Sequence, residues 1–261
     1  MSETLVVEQD GAVITITLNR PDKLNSFNEA MHRDFRVALD RIERDAGVRA
    51  VLITGAGKGF CAGQDLGDRN VAADQDIDLG ATLEANYNPL IRRLRALEKP
   101  TVCAVNGVAA GAGANLALAC DIVLAARSAR FIQAFCKIGL VPDSGGTYFL
   151  PRLVGEARAK GLALSGEPLA AEQAEAWGLV WKCVDDERLQ AEARALAQRL
   201  AAGPTKGLGL IKRALHASFA NDLDRQLDLE RDLQREAGGS ADYREGVSAF
   251  MQKRQPVFGG D

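Results

Sequence analysis

Two stretches of this chain share one design, a short unbroken apolar run followed at once by a cluster of glycines. Residues 49–54 (RAVLIT) enter Gly55-Ala-Gly-Lys-Gly-Phe-Cys-Ala-Gly63, and residues 101–105 (TVCAV) enter Asn106-Gly-Val-Ala-Ala-Gly-Ala-Gly113, which leads to the helix-like ANLALAC. An apolar run of that length bounded by turn residues has the form of a buried strand. Strand, glycine loop and helix used in series confine the chain to an α/β class. The same loops matter chemically, because glycine leaves backbone N–H groups unobstructed. Where the second loop opens a helix, its amides also gain from the positive end of the helix dipole. A single loop of this kind is an ordinary tight turn, whereas a repeated one suits an anion.

The rest of the chain fills in around these units. Residues 4–9 and 12–18 are β-rich and are separated by Asp10-Gly11, a hairpin signal. Ser26-Phe27-Asn28-Glu29 has the form of a capping box, followed by Met31, Phe35, Leu39 and Ile42 at helical spacing. His32 sits beside that stripe and is expected to face solvent. A further strand is expected over 121–126, leading to Phe131 and the GLVPDSGG loop at 139–146, and another near 179–184. From about residue 187 the pattern is helical, with Leu208, Ile211, Leu215 and Phe219 on one face. The stretch from Gly67 to Asn88 is polar and irregular until EANYNPLIRRL, and is expected to be a pocket-covering loop or a mobile helix. The expectation is a spiral of β-β-α units over 1–195, carrying the ligand loops, and a helical C-terminal oligomerisation segment over 196–261.

Composition removes several classes of function. With 32 basic and 35 acidic residues the net charge is -3, so no global field favours nucleic acid, and no basic stripe with interleaved aromatics is present. No segment reaches the roughly 18 apolar residues of a membrane span, and the start of the chain lacks a basic-then-apolar leader, so a cytoplasmic location is expected. Cys61, Cys103, Cys120, Cys136 and Cys183 include no C-x-x-C pair and no spacing suited to zinc. They read as reduced thiols, and no metal or separate cofactor is expected.

Several catalytic patterns fail at a named residue. Lys58 is followed by Gly59, so GAGKG lacks the hydroxyl of a nucleotide P-loop. Leu116 stands where a dinucleotide-binding fold needs its third glycine. Asp143-Ser144-Gly145-Gly146 is similar to a serine-protease nucleophile segment, but a triad needs a histidine, and both histidines, His32 and His216, fall in predicted helices. Ser144 is more simply a turn residue.

The strings GKGFCAGQDL, AVNGVAAGAGANLALACDIVLAA, GLVPDSGGTYFLPRLVG and AEAWGLV, in that order and spacing, resemble the enoyl-CoA hydratase/isomerase (crotonase) superfamily over essentially the whole chain. The resemblance implies a crotonase-like spiral fold and an acyl-CoA substrate whose thioester oxygen sits between the backbone amides of Gln64 and Ala112. Family hydratases carry two glutamates, and this sequence has Asn115 and Phe135 at those positions. Neither side chain can move a proton, so paired-acid water addition loses both its actors.

A carboxylate stands nearby at Asp143, and GLVPDSGGT, GLGLIK, QLDLERD and SADYREGVSAF resemble the branch of the superfamily that isomerises the ring epoxide of 1,2-epoxyphenylacetyl-CoA to the seven-membered oxepin. That branch implies an acyl-CoA isomerase with Asp143 as single base, also shifting 3-enoyl to 2-enoyl double bonds. Phe131, Phe135 and Leu140 are expected around the carboxyl, an apolar setting that favours its protonated form. Asp65 and Asp121, the rival acids, are expected to bond to backbone.

Substrate- or CoA-binding positions implied by the resemblance are Lys23, Leu24, Ala62, Gln64, Asp65, Leu66, Gly111, Ala112, Asn115 and Phe135, with Phe250 and Lys253 in the last helix closing over the nucleotide. The C-terminal helices imply a homotrimer or a hexamer built as a dimer of trimers. CoA enters as part of the substrate. An enoyl-CoA hydratase and a non-catalytic CoA-thioester-binding scaffold are the alternatives.

Overall fold

The computed structural model describes residues 4–68 and 78–261. Strands β1 (Leu5–Asp10) and β2 (Val13–Leu18) form the expected antiparallel hairpin across Asp10-Gly11. Helix α1 (Glu29–Arg44) follows and buries Met31, Phe35, Leu39 and Ile42. Its cap is Asn28, whose side chain accepts from the Met31 amide at 2.9 Å, and not Ser26 as the sequence pattern suggested. Both residues carry a suitable oxygen, and only Asn28 is the extended residue immediately before the first helical turn.

The repeated design is present as strand pairs that divide between two sheets. β3 (Ala50–Gly55) leads into β4 (Gly59–Cys61), β5 (Thr101–Val105) into β6 (Val108–Ala110), and β7 (Ile122–Ala126) into β8 (Arg130–Ile132). In each pair the first strand joins a larger sheet and the second a smaller one. With β9 (Leu169–Ala170) and β10 (Lys182–Val184), the larger sheet has the order β1-β2-β3-β5-β7-β10 and the smaller β4-β6-β8-β9. All pairings from β2 to β10 across the larger sheet are parallel, as are β4-β6 and β6-β8. Parallel strands covered on both faces explain why β3 and β5 read as continuous apolar runs.

Short helix α2 (Leu79–Thr82) runs through a π-helical turn (Leu83–Tyr87) into α3 (Asn88–Ala96). The uncertain stretch is therefore helical over 79–88, while residues 69–77 lie outside the described part. α4 (Ala112–Ala119) is wholly buried, as its near-uniform apolar sequence requires. Next come α5 (Gly146–Val154), α6 (Glu156–Ser165) and α7 (Ala171–Ala176). α8 (Leu189–Ala201) packs on β3, β5 and β7 through Leu189, Ala193, Ala197 and Ala201. The division expected at 195/196 falls inside this continuous helix.

α9 (Thr205–Ser218), α10 (Leu223–Gly238) and α11 (Ala241–Met251) complete the helical C-terminal segment. Ile211, Leu215 and Phe219 remain exposed on the single chain, as do Leu223 and Leu227. Among the described residues no helix is long and apolar enough to cross a membrane.

Candidate active site

The two glycine loops meet at Gly63. A methyl group on Gly63 would lie 2.9 Å from the Ala110 carbonyl oxygen and 3.3 Å from the Ala112 nitrogen, so the first loop rests directly on the start of α4. Behind them the contact is tighter still. A methyl on Gly113 would lie 2.3 Å from the Cys61 carbonyl oxygen, an impossible approach, so α4 seats against β4 only because position 113 has no side chain.

The main-chain directions follow from these contacts. Phe27 and Gln64 form an isolated parallel bridge in which Phe27 N donates to Gly63 O at 2.7 Å and Asp65 N to Phe27 O at 2.8 Å. Because amide directions alternate along an extended segment, the Gln64 N–H emerges on the opposite edge. Ala112 opens α4, and its N–H is one of the four that no carbonyl of the same helix can accept.

Beside both residues is a cavity of about 190 Å³. Ala62, Gln64 and Leu66 line it from the first loop, Gly111 and Ala112 from the second, and Phe135, Lys137, Ile138, Leu140 and Asp143 from the segment after β8. Its walls are mainly apolar, and Asp143 is the one carboxylate among the described residues lining it. An apolar cavity of about 150 Å³ accepts benzene, so this one has room for an aryl or short enoyl group but not for a nucleotide. Phe131, expected beside the carboxyl, does not line it.

Asp143 is held through both its main chain and its side chain. Its main-chain oxygen accepts from Asn115 Nδ2 at 2.7 Å and from the Gly146 amide at 2.9 Å, and its Oδ1 accepts from the Ser144 hydroxyl at 2.9 Å. Ser144 adopts a left-handed backbone with φ 50, a strained conformation for a residue with a side chain, of the kind that persists where surrounding contacts over-determine it.

Asn115 itself is fully buried and does not line the cavity, contrary to its expected substrate contact. Its amide nitrogen serves Asp143 and its oxygen accepts from Gln133 Nε2 at 2.8 Å, leaving it to orient the loop. Asp65 is likewise diverted, pairing with Arg20 at 2.8 Å and accepting from the Gly67 amide at 3.0 Å. The Arg20 hydrogen bond is the main reason its carboxyl lies below the usual range. Asp121 accepts from the Thr101 amide and hydroxyl at 2.7 and 2.8 Å and pairs with Lys212 at 2.7 Å, as a structural acid does.

Lys23 and Leu24 lie outside the cavity but border its first loop, since the Leu24 carbonyl accepts from the Ala62 amide at 2.9 Å. Phe250 is 82% exposed and lines a separate depression with Tyr243 and Phe258. Neither it nor Lys253 reaches the cavity of its own chain.

His32 departs most from the sequence reading. It is 4% exposed, with its ring 4.8 Å from Phe27 and 4.4 Å from Tyr87, and neither ring nitrogen has a hydrogen-bond partner among the described residues. Burial lowers its pKa to about 4, with a smaller contribution from Arg36. Cys61, also buried, is pushed up to about 12 and stays a thiol at neutral pH. Residues missed from sequence are Tyr87, whose hydroxyl donates to Gln64 Oε1 at 2.7 Å, and Lys137 and Ile138 in the cavity wall. Only Lys137 and Ile138 had an accessible signal, namely their closeness to Phe135. Among the described residues no three His, Cys, Asp or Glu side chains are grouped as a metal site would need.

Known proteins resemble this chain along its whole length. The family model described as enoyl-CoA hydratase/isomerase matches residues 8–261. The chain is 59% identical over 261 residues to the 1,2-epoxyphenylacetyl-CoA isomerase of Escherichia coli K12, covering 100% of both chains. It is 48% identical over 257 residues to a probable enoyl-CoA hydratase of Rhodobacter capsulatus, covering 98% of each. Among solved structures, an enoyl-CoA hydratase from Bacillus anthracis superposes with a TM-score of 0.93 at 32% identity, over 99% of this chain and 100% of that one. Matched along its length in both sequence and fold, the chain belongs to the enoyl-CoA hydratase/isomerase (crotonase) family.

Proposed function

We propose that this enzyme isomerises acyl-CoA thioesters by moving one proton with Asp143 while the Gln64 and Ala112 amides hold the thioester oxygen. The observation that carries this reading is that Asp143, the one carboxylate among the described residues lining the cavity, shares it with the two glycine-loop residues Gln64 and Ala112. Asp143 takes a proton from the carbon next to the thioester, and the electron pair moves onto the carbonyl oxygen. Two preorganised N–H donors meet that charge, each donor being worth roughly 2.7 to 4 kcal/mol in comparable oxyanion holes. The carboxyl then returns the proton further along the conjugated system, which carries a 3-enoyl thioester to the 2-enoyl form.

For a ring epoxide the carbon–carbon bond shared by the epoxide and the six-membered ring opens electrocyclically to the seven-membered oxygen ring. Asp143 takes the proton next to the thioester to form the same enolate, and the carboxyl returns that proton to a ring carbon, so the mass is unchanged. The cavity volume suits an aryl group, and the resemblance to the Escherichia coli isomerase supports this substrate. Lys23 and Leu24, beside the first loop, are the proposed border of the CoA nucleotide.

Hydration is the second reading, favoured by the similarity to probable enoyl-CoA hydratases. Against it, Asn115 has both ends of its amide occupied, and Phe135 offers no proton. A binding-only scaffold leaves the confined carboxylate without a use. Incubating the purified protein with the ring-epoxide thioester and with 3-enoyl-CoA separates these readings. An unchanged mass with a new absorbance spectrum is the expected result. A gain of one water would make it a hydratase, and no change in either substrate would leave a binding protein.

We also infer that α9, α10 and α11 join further copies into a trimer or a dimer of trimers, covering the exposed Ile211, Leu215 and Phe219. Sedimentation equilibrium tests this, and a monomer would refute it.

A further inference from the structure

Gln64 contributes more than a main-chain amide to the cavity wall. Its carboxamide is occupied at both ends, because Nε2 donates to the Phe27 carbonyl at 3.1 Å and to the Asp65 carbonyl at 3.2 Å, while Oε1 accepts from the Tyr87 hydroxyl at 2.7 Å. The main chain at Gln64 belongs to no extended strand and meets Phe27 only through an isolated bridge. The side chain therefore braces the peptide whose N–H faces away from that bridge.

Tyr87 is built to hold this brace. It is 2% exposed, its ring stands edge-on to His32 with 4.4 Å between centroids and lies 5.6 Å from Phe27, and it ends the π-helical turn Leu83–Tyr87. Such a turn inserts an extra residue into a helix and is a frequent companion of functional sites. Among the described residues the His32 nitrogens have no hydrogen-bond partner, so the contact of His32 with Tyr87 is one of ring packing.

We propose that Tyr87 is a positioning residue for the oxyanion hole, fixing the Gln64 carboxamide and through it the direction of the Gln64 N–H. This rests on the reading of that N–H as a donor to the thioester oxygen. A loosened donor weakens the transition state more than the bound ground state, so the effect belongs in kcat.

The test compares the full-length wild-type protein with Tyr87→Phe, which keeps the ring and removes the hydroxyl, and with Gln64→Leu, which removes the brace from the other side. With trans-3-hexenoyl-CoA as substrate, Tyr87→Phe is expected to lower kcat by about 10- to 100-fold with KM changed less than about threefold. Gln64→Leu is expected to do the same, and Tyr87→Phe to cost little more in the Gln64→Leu background.

The infrared carbonyl stretch of bound trans-2-hexenoyl-CoA supplies the second readout. It is expected at lower frequency in the wild-type complex than in water, and less displaced in Tyr87→Phe. A lowered stretch and a kcat that Tyr87→Phe leaves unchanged would overturn the positioning role alone, as would additive losses in the double variant. A wild-type complex with no lowering would overturn the oxyanion hole itself, and the role of Tyr87 with it.

Discussion

Asn115 Nδ2 donates a 2.7 Å hydrogen bond to the main-chain carbonyl of Asp143, joining the buried helix α4 to the loop that carries the cavity's carboxylate. The position at which the resemblance expects a glutamate thus holds an amide that anchors the loop of the proposed acid. Substituting Asn115→Leu removes the donor to Asp143 and the acceptor for Gln133 at once. The expected cost is about 2 to 4 kcal/mol in chemical denaturation, since buried partners are left unsatisfied, together with a lower kcat as the carboxyl loses its fixed place.

Asp143→Asn is expected to lower the isomerisation rate of a 3-enoyl-CoA by about 10²- to 10⁴-fold, the range of a general acid–base contribution. Thioester affinity, measured by calorimetry, should change little because the side chains are nearly isosteric. Retention of the wild-type rate would remove Asp143 from the mechanism.

Gly113→Ala probes the seat between the two loops. The added methyl meets the Cys61 carbonyl at 2.3 Å, and neither backbone can yield without separating α4 from β4. A loss of about 3 kcal/mol or more is expected, the upper range for overpacking. A thermal melt of the variant within a few degrees of wild type would contradict the rigidity argued for the seat.

His32 makes the fold sensitive to acid. Its pKa falls from 6.5 to about 4 on burial, so the unfolded chain binds the proton more readily than the folded one. Stability is therefore full above about pH 6.5 and declines as the pH falls toward 4, by about 3 kcal/mol for this group alone. In His32→Leu the melting temperature should vary less over that interval, as scanning calorimetry at several pH values would show.

The hairpin and the strand–loop–helix units were legible because each was written locally, as apolar runs closed by glycines or by Asp10-Gly11. The same holds for the cavity residues drawn from those loops, Ala62, Gln64, Gly111 and Ala112, and for Asp143 in its loop. Properties set by distant neighbours were not legible. His32 looked like a surface residue because Phe27 and Tyr87, which enclose it, are brought there by tertiary packing. Tyr87 was hidden for a related reason, since the π-helical turn that ends at it spans only five residues, too few to show a period of its own in the sequence. Asn115 was read as a departure from the hydratase pattern, but its partner, a main-chain oxygen, carries no residue-type signature.

The meeting of the two glycine loops also bears on how such a protein can diversify. The N–H groups of Gln64 and Ala112 belong to the main chain, so no exchange of their own side chains, short of proline, deletes them. The walls contributed by Leu66, Phe135, Ile138 and Leu140 carry no such protection. Inheritance can therefore redraw the shape of the cavity one residue at a time without deleting either N–H, while the direction of the one at Gln64 stays tied to the Gln64 side chain and its Tyr87 partner.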